Sequence, residues 1–512
     1  MKRLLLLAGV LALAACAAPA PQSPVLSIEG GLVQGVPADV PGVTVFRGIP
    51  FAAPPLGENR WRAPQPVVPW EGVRVCDKFG HPPFQVTHYP GWYTTEWGYG
   101  DESPHSEDCL YLNVWTKAPG DASKKLPVAV WIFGGGMREG WSSEPEFDGQ
   151  EWAGKDVVLV SFNYRVGPFG FFAHPELSAE DPEHATGNWG TLDQIEALRW
   201  VQRNIAQFGG DPDNVMIFGQ SAGGRSVKFL SASPLARGLF HKAVIMSGSG
   251  FVDPAVQAPR KTTLAEAEQS IKAVADWANL KDLKALRGAS TETIFALGTI
   301  YTSVTGKHSV LSNSPIAPYV DGYVLPETFE EACVDGTLAQ VPYMIGFTLN
   351  DNGNMGDQAS DFCLNREQAG GRAYAYQFAR PLPTDGRPNV LQGAFHSSDL
   401  WYVFKSLKNC WRPWTAGDWA LSEQMLTAWS NFAKTGDPNT PGASGKSGGA
   451  GKSGGSGGAG GSGGAGSLFG AAGPWTPCTA AKPDFMVFRL DDADAVASAM
   501  GTPLRPAPAP RR

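Results

Sequence analysis

The sequence predicts an α/β fold in which a mostly parallel central sheet is flanked by helices. Short runs of consecutive apolar residues, which suit strands buried on both faces, recur along the chain. A helical pattern separates two of these runs, and strands that alternate with helices imply a parallel sheet covered on both sides. The chain of 512 residues shows no internal repeat, and we expect it to form one large domain.

Five apolar runs are the predicted strands of this sheet. They span residues 128–133, 157–162, 215–218, 243–246 and 343–347. Between the second and third runs, one face of a predicted helix carries Leu192, Ile195, Leu198, Val201 and Ile205. Sites on such sheets lie at the carboxyl ends of the strands, so the residues that follow each run are the candidates for a functional site.

The third run leads into Gly219-Gln220-Ser221-Ala222-Gly223, and a helix-compatible stretch follows. A strand, a tight turn and a helix around a serine flanked by glycines form the layout of a nucleophile elbow. The same five-residue pattern recurs around Ser447 and Ser456, but there no strand or helix surrounds it. This context favours Ser221 as an acyl-transfer nucleophile over those copies and over a structural serine in a turn.

A second signal is the glycine run that ends the first strand, Phe133-Gly134-Gly135-Gly136-Met137. Consecutive glycines let backbone N–H groups approach a ligand oxygen without obstruction by side chains. Acyl transfer needs such donors for the oxyanion of its tetrahedral intermediate, and an elbow adds the N–H of Ala222.

A serine nucleophile needs a histidine base and a carboxylate that orients it. Three histidines follow Ser221: His241 before a predicted strand at what looks like the surface, His308, and His396 in a predicted loop. Asp351 follows the run 343–347 at the same sheet edge, with an Asx-turn residue as its alternative interpretation. In α/β-hydrolases the order is serine, acid, histidine, which leaves His396 as the base.

The chain resembles the type B carboxylesterase and cholinesterase family of α/β-hydrolases. The resemblance runs from about Val43 to Phe488, and its most specific motifs are the segments 46–57, 106–115, 163–167 and 208–215. It implies that Ser221 is the nucleophile and His396 the base, with Asp351 at the position of the family's catalytic glutamate. Gly135, Gly136 and Ala222 would donate to the oxyanion.

The resemblance also implies two structural ion pairs, Arg60 with Glu107 and Arg165 with Asp193.

The chain departs from the family pattern in four respects. Gln220 stands where many relatives carry glutamate; Cys76 precedes the usual site of the first disulfide, which casts doubt on a bridge to Cys109. Asp351 and His396 are unusually close in sequence, which favours a more open site, and a Gly/Ser tract is inserted near the C-terminal strand.

The first 15 residues resemble the signal peptide of a bacterial lipoprotein. Lys2 and Arg3 precede an apolar stretch too short to span a bilayer, and small residues then lead to Cys16. Cys16 would become the lipidated N-terminus, residues 16–25 a tether, and the protein an exported one of the periplasm or outer membrane. Secretion with cleavage nearby is the alternative.

Residues 26–500 are the predicted catalytic domain, with a flexible Gly/Ser-rich loop at 442–466, natural or engineered, and a disordered tail at 501–512. A net charge of −8 without a basic cluster argues against nucleic acid as a partner. No cysteine or histidine cluster suggests a metal, and the chemistry needs no cofactor. Membrane contact is expected only through the lipid anchor.

We therefore expect a serine carboxylesterase that hydrolyses small-molecule esters through an acyl-enzyme with a Ser-His-Asp triad. A non-catalytic, cholinesterase-like binding protein and an acyltransferase are the alternatives. The aromatic stretch 88–99, by the same resemblance, lies near the mouth of the site, where Trp92 and Trp97 either stack on aromatic esters or pack a long loop onto the body.

Overall fold

The computed structural model describes residues 23–85, 92–97, 104–183, 187–257, 263–297, 318–351, 353–439 and 473–490. The strands in chain order are β1 (Val25–Ile28), β2 (Gly31–Gln34), β3 (Val36–Pro37), β4 (Thr44–Pro50), β5 (Val73–Val75), β6 (Tyr111–Thr116), β7 (Leu126–Ile132), β8 (Val158–Phe162), β9 (Gly210–Gln220), β10 (Lys242–Met246), β11 (Tyr343–Thr348), β12 (Ala373–Phe378) and β13 (Met486–Phe488).

A ten-stranded sheet dominates the fold, in the order β13-β12-β11-β10-β9-β7-β8-β6-β4-β3. All neighbours from β13 to β8 are parallel, and the three remaining strands continue the sheet antiparallel at one edge. Strands β1, β2 and β5 form a separate small sheet. The prediction of a mostly parallel central sheet is confirmed.

Some helices contact this sheet, and others, such as Leu264–Trp277, pack in a separate apolar cluster. Their bounds include Trp92–Trp97, Gln150–Gly154, Gly167–Gly170, Pro175–Glu180, Trp189–Asn204, Ala222–Ala232, Leu264–Trp277, Leu283–Gly288, Phe329–Asp335, Met355–Gln368, Leu400–Val403 and Ala416–Thr435. The helix predicted from the apolar stripe at 192–205 begins at Trp189 and ends at Asn204. We call the helix Ala222–Ala232, which follows Ser221, the elbow helix.

The five predicted strands correspond to β7, β8, β9, β10 and β11. Four of them match to within two residues at each end, and β9 extends further because its N-terminal end pairs with β7 across an irregularity next to Gly210. Their apolar side chains are almost completely buried, as expected for strands covered on both faces. The equally buried β12 was not among the predicted strands.

Both predicted ion pairs are present and buried. Arg60 Nε lies 2.8 Å from Glu107 Oε2, and Arg165 Nε lies 2.8 Å from Asp193 Oδ2. Each pair is bidentate, the geometry in which a guanidinium and a carboxylate bind each other best. These charges support the fold.

The chain returns to the main body after the Gly/Ser tract. Asn439 and Trp475 lie on either side of it, and the Asn439 side chain exchanges two hydrogen bonds of 2.8 Å with the Trp475 backbone. The Trp475 ring packs against Trp429 and Phe488. The tract therefore begins and ends at neighbouring points of one body.

Several predictions fall outside the described residues: the signal peptide with Cys16, the loop 442–466 and the tail 501–512. Within the described ranges, no helix is long and apolar enough to cross a membrane. The six described cysteines, Cys76 and Cys109 among them, are free thiols, and those of Cys363 and Cys478 hydrogen-bond each other.

Candidate active site

Ser221 lies in a strained turn between β9 and the elbow helix. Its backbone has φ 57° and ψ −119°, a conformation that costs a non-glycine residue free energy and persists where the surroundings enforce it. The Ser221 N–H donates to Met246 O at 2.8 Å, and its carbonyl accepts from Arg225 N at 2.9 Å. The turn is thus fixed to β10 on one side and to the helix on the other.

Glycines at positions 219 and 223 allow this turn to fit. A Cβ atom on Gly223 would lie 2.0 Å from Ile132 O, and one on Gly219 would lie 2.5 Å from the Gly223 carbonyl. These distances are far below van der Waals contact, so the elbow helix can approach the ends of β7 and β9 only without side chains at these two positions.

The glycine run after β7 faces the elbow. A Cβ atom on Gly134 would lie 3.2 Å from Ser221 Cβ. Gly135 and Gly136 both have positive φ values, 90° and 66°, which turn the chain back on itself. Within the described part of the chain, the N–H groups of Gly135, Gly136 and Ala222 meet no hydrogen-bond acceptor, so all three are available to a ligand oxygen.

Asp351 lies just beyond β11, where three donors hold its carboxylate. Oδ2 accepts from Ser247 Oγ at 2.6 Å and from Thr348 N at 2.8 Å, and Oδ1 is hydrogen-bonded to His396 Nδ1. Burial by itself would raise the pKa of Asp351, but the hydrogen bonds and the charge of His396 outweigh it and lower that pKa below its usual value. The carboxylate form is therefore the stable one.

Asn350 brings the loop of His396 to Asp351. Its N–H donates to Ala394 O at 3.0 Å, and its side-chain Oδ1 accepts from Ala394 N at 2.8 Å. Gly393, with φ 77°, leaves room for that side chain, because a Cβ there would lie 2.5 Å from Asn350 Oδ1. This reciprocal pair fixes the spacing between Asp351 and His396.

The Nε2 side of the imidazole faces the elbow. Gln220, the residue before Ser221, has its Nε2 3.4 Å from His396 Nε2. With His396 Nδ1 bonded to the carboxylate, Nε2 is the atom left to exchange a proton with a nucleophile. An uncharged amide therefore occupies the place beside the base where a glutamate would add a negative charge.

The structure brings together the predicted serine, histidine, aspartate and glycine run, and it adds residues that the sequence analysis missed. Ser247 directly follows β10, so it could have been predicted as one of the residues at the carboxyl ends of the strands. Tyr376 and Asp399 gave no such signal. Asp399 is fully buried and accepts from Tyr376 Oη at 3.0 Å, and its Oδ1 has no hydrogen-bond partner among the residues that the structure describes.

The expected surface position of His241 is wrong, and the structure bears on the two interpretations of Trp97. His241 is partly buried rather than a surface residue, and its Nδ1 accepts from Val215 N at 3.1 Å. Trp97 is 6% exposed and packs against Trp401, which favours the second of its two interpretations, the packing of a loop onto the body. His308 and the side chain of Trp92 lie outside the described residues.

The chain matches known proteins over most of its length. The sequence model of the Carboxylesterase family matches residues 22–367 and 354–453. Carboxylesterase 5A of Canis lupus familiaris is 32% identical over 522 residues, which cover 84% of this chain and 84% of that protein. Para-nitrobenzyl esterase of Bacillus subtilis (strain 168) is 32% identical over 469 residues, with 81% and 91% covered.

A further relative matches over a shorter region. Fumonisin B1 esterase of Sphingopyxis macrogoltabida is 37% identical over 319 residues, which span 62% of this chain and 54% of that protein. Among solved structures, a thermophilic PNB esterase superposes with a TM-score of 0.69 at 28% identity, covering 91% of this chain and 96% of that one.

Proposed function

Because the chain belongs to the carboxylesterase family and is a serine carboxylesterase, we propose that Ser221, His396 and Asp351 are its catalytic triad. The observation that carries this proposal is the chain of contacts from Asp351 through His396 to the elbow. It links a buried carboxylate through an imidazole to Gln220, the residue before a serine in a strained turn. A carboxylate, an imidazole and a serine are the constellation that activates a serine hydroxyl.

The first half of the reaction forms an acyl-enzyme. Ser221 Oγ attacks the ester carbonyl while His396 Nε2 takes its proton. Asp351 keeps the imidazole in the tautomer whose Nε2 carries no proton and stabilises the imidazolium that forms. The carbonyl oxygen becomes an oxyanion, which the free N–H groups of Gly135, Gly136 and Ala222 are available to bind.

Collapse of this intermediate expels the alcohol, which receives the proton from His396. Water then attacks the Ser221 ester with His396 as base, and the acid is released. The lowered pKa of Asp351 keeps its carboxylate ionised throughout this cycle. The substrates we propose are small-molecule esters; transfer of the acyl group to another alcohol would appear as a second product.

Replacing Ser221 by alanine tests the proposal. We expect S221A to lower turnover of 4-nitrophenyl acetate to near background, a loss of roughly a millionfold in kcat, because the attacking oxygen is removed. The matched control is S447A, which changes a serine in the same five-residue pattern within the Gly/Ser tract and should leave the rate unaltered. Turnover retained by S221A would exclude Ser221 as the nucleophile.

We also propose that the protein is an exported lipoprotein anchored through Cys16. The basic residues Lys2 and Arg3, the short apolar stretch and the small residues before Cys16 support this proposal. The anchor would hold the catalytic domain at a membrane surface in the periplasm or at the outer membrane.

A further inference from the structure

We propose that Arg225 binds a carboxylate on the substrate, so that the preferred esters carry a free carboxylate close to the ester group. This inference rests on the proposed function, because it takes the elbow of Ser221 as the site of the reaction. It assigns a specificity role to a residue that takes no part in the chemistry of the triad.

Arg225 lies one helical turn from the nucleophile. Its N–H donates to Ser221 O at 2.9 Å, so this hydrogen bond joins the first turn of the elbow helix to the backbone of the nucleophile, which directly precedes the helix. Helical side chains lean towards the N-terminus, here the end that holds Ser221.

The loop that holds the triad acid contacts the same turn. A Cβ atom on Gly248 would lie 2.9 Å from Arg225 N, so this glycine packs directly on the turn. The neighbouring Ser247 donates to Asp351. The first turn of the elbow helix, which carries Arg225, therefore lies between the nucleophile and the loop that supports the acid.

The guanidinium of Arg225 has no hydrogen bond or ion pair among the described residues, although five N–H groups need acceptors. Among the described residues, the carboxylate that attracts it is that of Glu330. Glu330 is already paired with Lys228, whose Nζ lies 3.1 Å from Glu330 Oε1 and 2.8 Å from Gly250 O.

Lys228 and Arg225 are two cations on the same helix that differ in their partners. Lys228 is buried with both a carboxylate and a carbonyl as partners, whereas Arg225 is partly buried with neither. Burial lowers the pKa of Arg225, which means that its charge is held at a cost in free energy. An anionic ligand would remove that cost, and a planar guanidinium fits a carboxylate through two parallel hydrogen bonds.

Two matched pairs of esters test the inference. In one pair the carboxylate is on the acyl side: the mono-4-nitrophenyl ester of adipic acid against its methyl-capped diester. In the other it is on the leaving group: 4-acetoxybenzoate against methyl 4-acetoxybenzoate. We expect the wild-type enzyme to have the higher kcat/KM for the free carboxylate in at least one pair.

Replacing Arg225 by methionine should reduce that preference, the ratio of the two kcat/KM values, by about tenfold to a hundredfold. R225K should keep part of it, because the charge remains but the bidentate geometry is lost. The control R199M removes a surface arginine, 43% exposed, on the helix Trp189–Asn204 and should leave the ratio unchanged.

An unchanged ratio in R225M, or a wild-type preference for the capped ester in both pairs, would overturn the inference. Labelling by a fluorophosphonate probe shows whether R225M has a folded elbow. If R225M is not labelled, inhibition of the wild-type enzyme tests the inference instead. Adipate should inhibit ester hydrolysis more strongly than hexanoate, and equal inhibition by the two acids would overturn the inference. Turnover retained by S221A would instead contradict the proposed function, so the two failures are distinguishable.

Discussion

Two buried carboxyl groups interact with the charge of His396, and their surroundings favour opposite protonation states. Asp351 accepts three hydrogen bonds and keeps a lowered pKa. Asp399 accepts one, from Tyr376. Burial and the nearby charge of Asp351 raise the pKa of Asp399 to about 7. The environment thus makes one group the ionised partner of the histidine and leaves the other largely protonated below neutral pH.

The raised pKa of Asp399 predicts a pH-dependent effect of Asp399→Asn on stability. The folded protein binds a proton that the unfolded chain, with an ordinary value of 3.8, releases at lower pH. Stability therefore falls as the pH rises from about 4 to about 7. D399N removes this loss, so its melting temperature relative to wild type should rise from pH 5 to pH 8. A difference independent of pH would show that Asp399 titrates normally in the fold.

The sequence alone predicted the residues whose position follows from a strand end or from chain order. Ser221, Asp351 and the glycine run each come directly after an apolar run. His396 followed from order alone, and its position depends on the bonds between Asn350 and Ala394, which span 44 positions. No local sequence pattern predicts such long-range contacts. Asp399 and Tyr376 were missed for the same reason.

At the scale of elements, the site depends on how closely the elbow helix approaches the parallel strands. Gly223 lies against the carbonyl of Ile132 at the end of β7, and Gly224 lies against that of Met246 at the end of β10. The same close approach places the N–H of Ala222 beside the glycine run. Small residues at the start of the helix therefore determine both packing and the geometry of the oxyanion donors.

Replacing Gly223 by alanine should show this dependence. The added Cβ would overlap Ile132 O at 2.0 Å, so helix and strand must separate. We expect a loss of about 1–3 kcal/mol or more in the free energy of unfolding, measured in urea, together with most of the esterase activity.

The matched control is Gly288→Ala at the end of the helix Leu283–Gly288, where a Cβ atom would meet nothing within 4 Å. It should be neutral or stabilise the protein by up to about 1 kcal/mol. Equal effects of the two substitutions would show that the contact with Ile132 does not limit the approach of the helix.

Elements were predictable to the extent that burial on both faces left continuous apolar runs. Strand β12 escaped because Ala373–Phe378 alternates small, aromatic and polar residues, although all six are buried. The family resemblance placed Trp97 near the mouth of the site and left open whether it stacks on esters or packs a loop onto the body. Its burial follows from the helix Trp92–Trp97, which is held by the ion pair of Glu96 with Arg412, 316 positions away.

At the scale of the whole molecule, the proposed anchor determines where the enzyme works. The described body begins at Ser23, seven positions after Cys16, so a lipid on Cys16 would hold it within a short tether of the membrane. The prediction is that Cys16→Ser moves the esterase activity from the membrane fraction to the soluble fraction of the producing bacterium.

The physical reason is that the substitution removes the thiol that would carry the lipid. Total activity should be unchanged, because Cys16 lies outside the catalytic domain. Activity that is soluble in both the wild type and C16S would rule out the anchor and favour ordinary secretion.

If Ser221 is the nucleophile, the enzyme forms an ester on its hydroxyl during turnover, and that ester can be trapped. The enzyme is mixed with 4-nitrophenyl acetate, quenched in acid within the first turnover, digested and mapped by mass spectrometry. We expect an acetyl group on Ser221, formed together with a burst of 4-nitrophenol, and no burst in S221A. An acetyl group on another residue, with Ser221 unmodified during turnover, would contradict this role of Ser221.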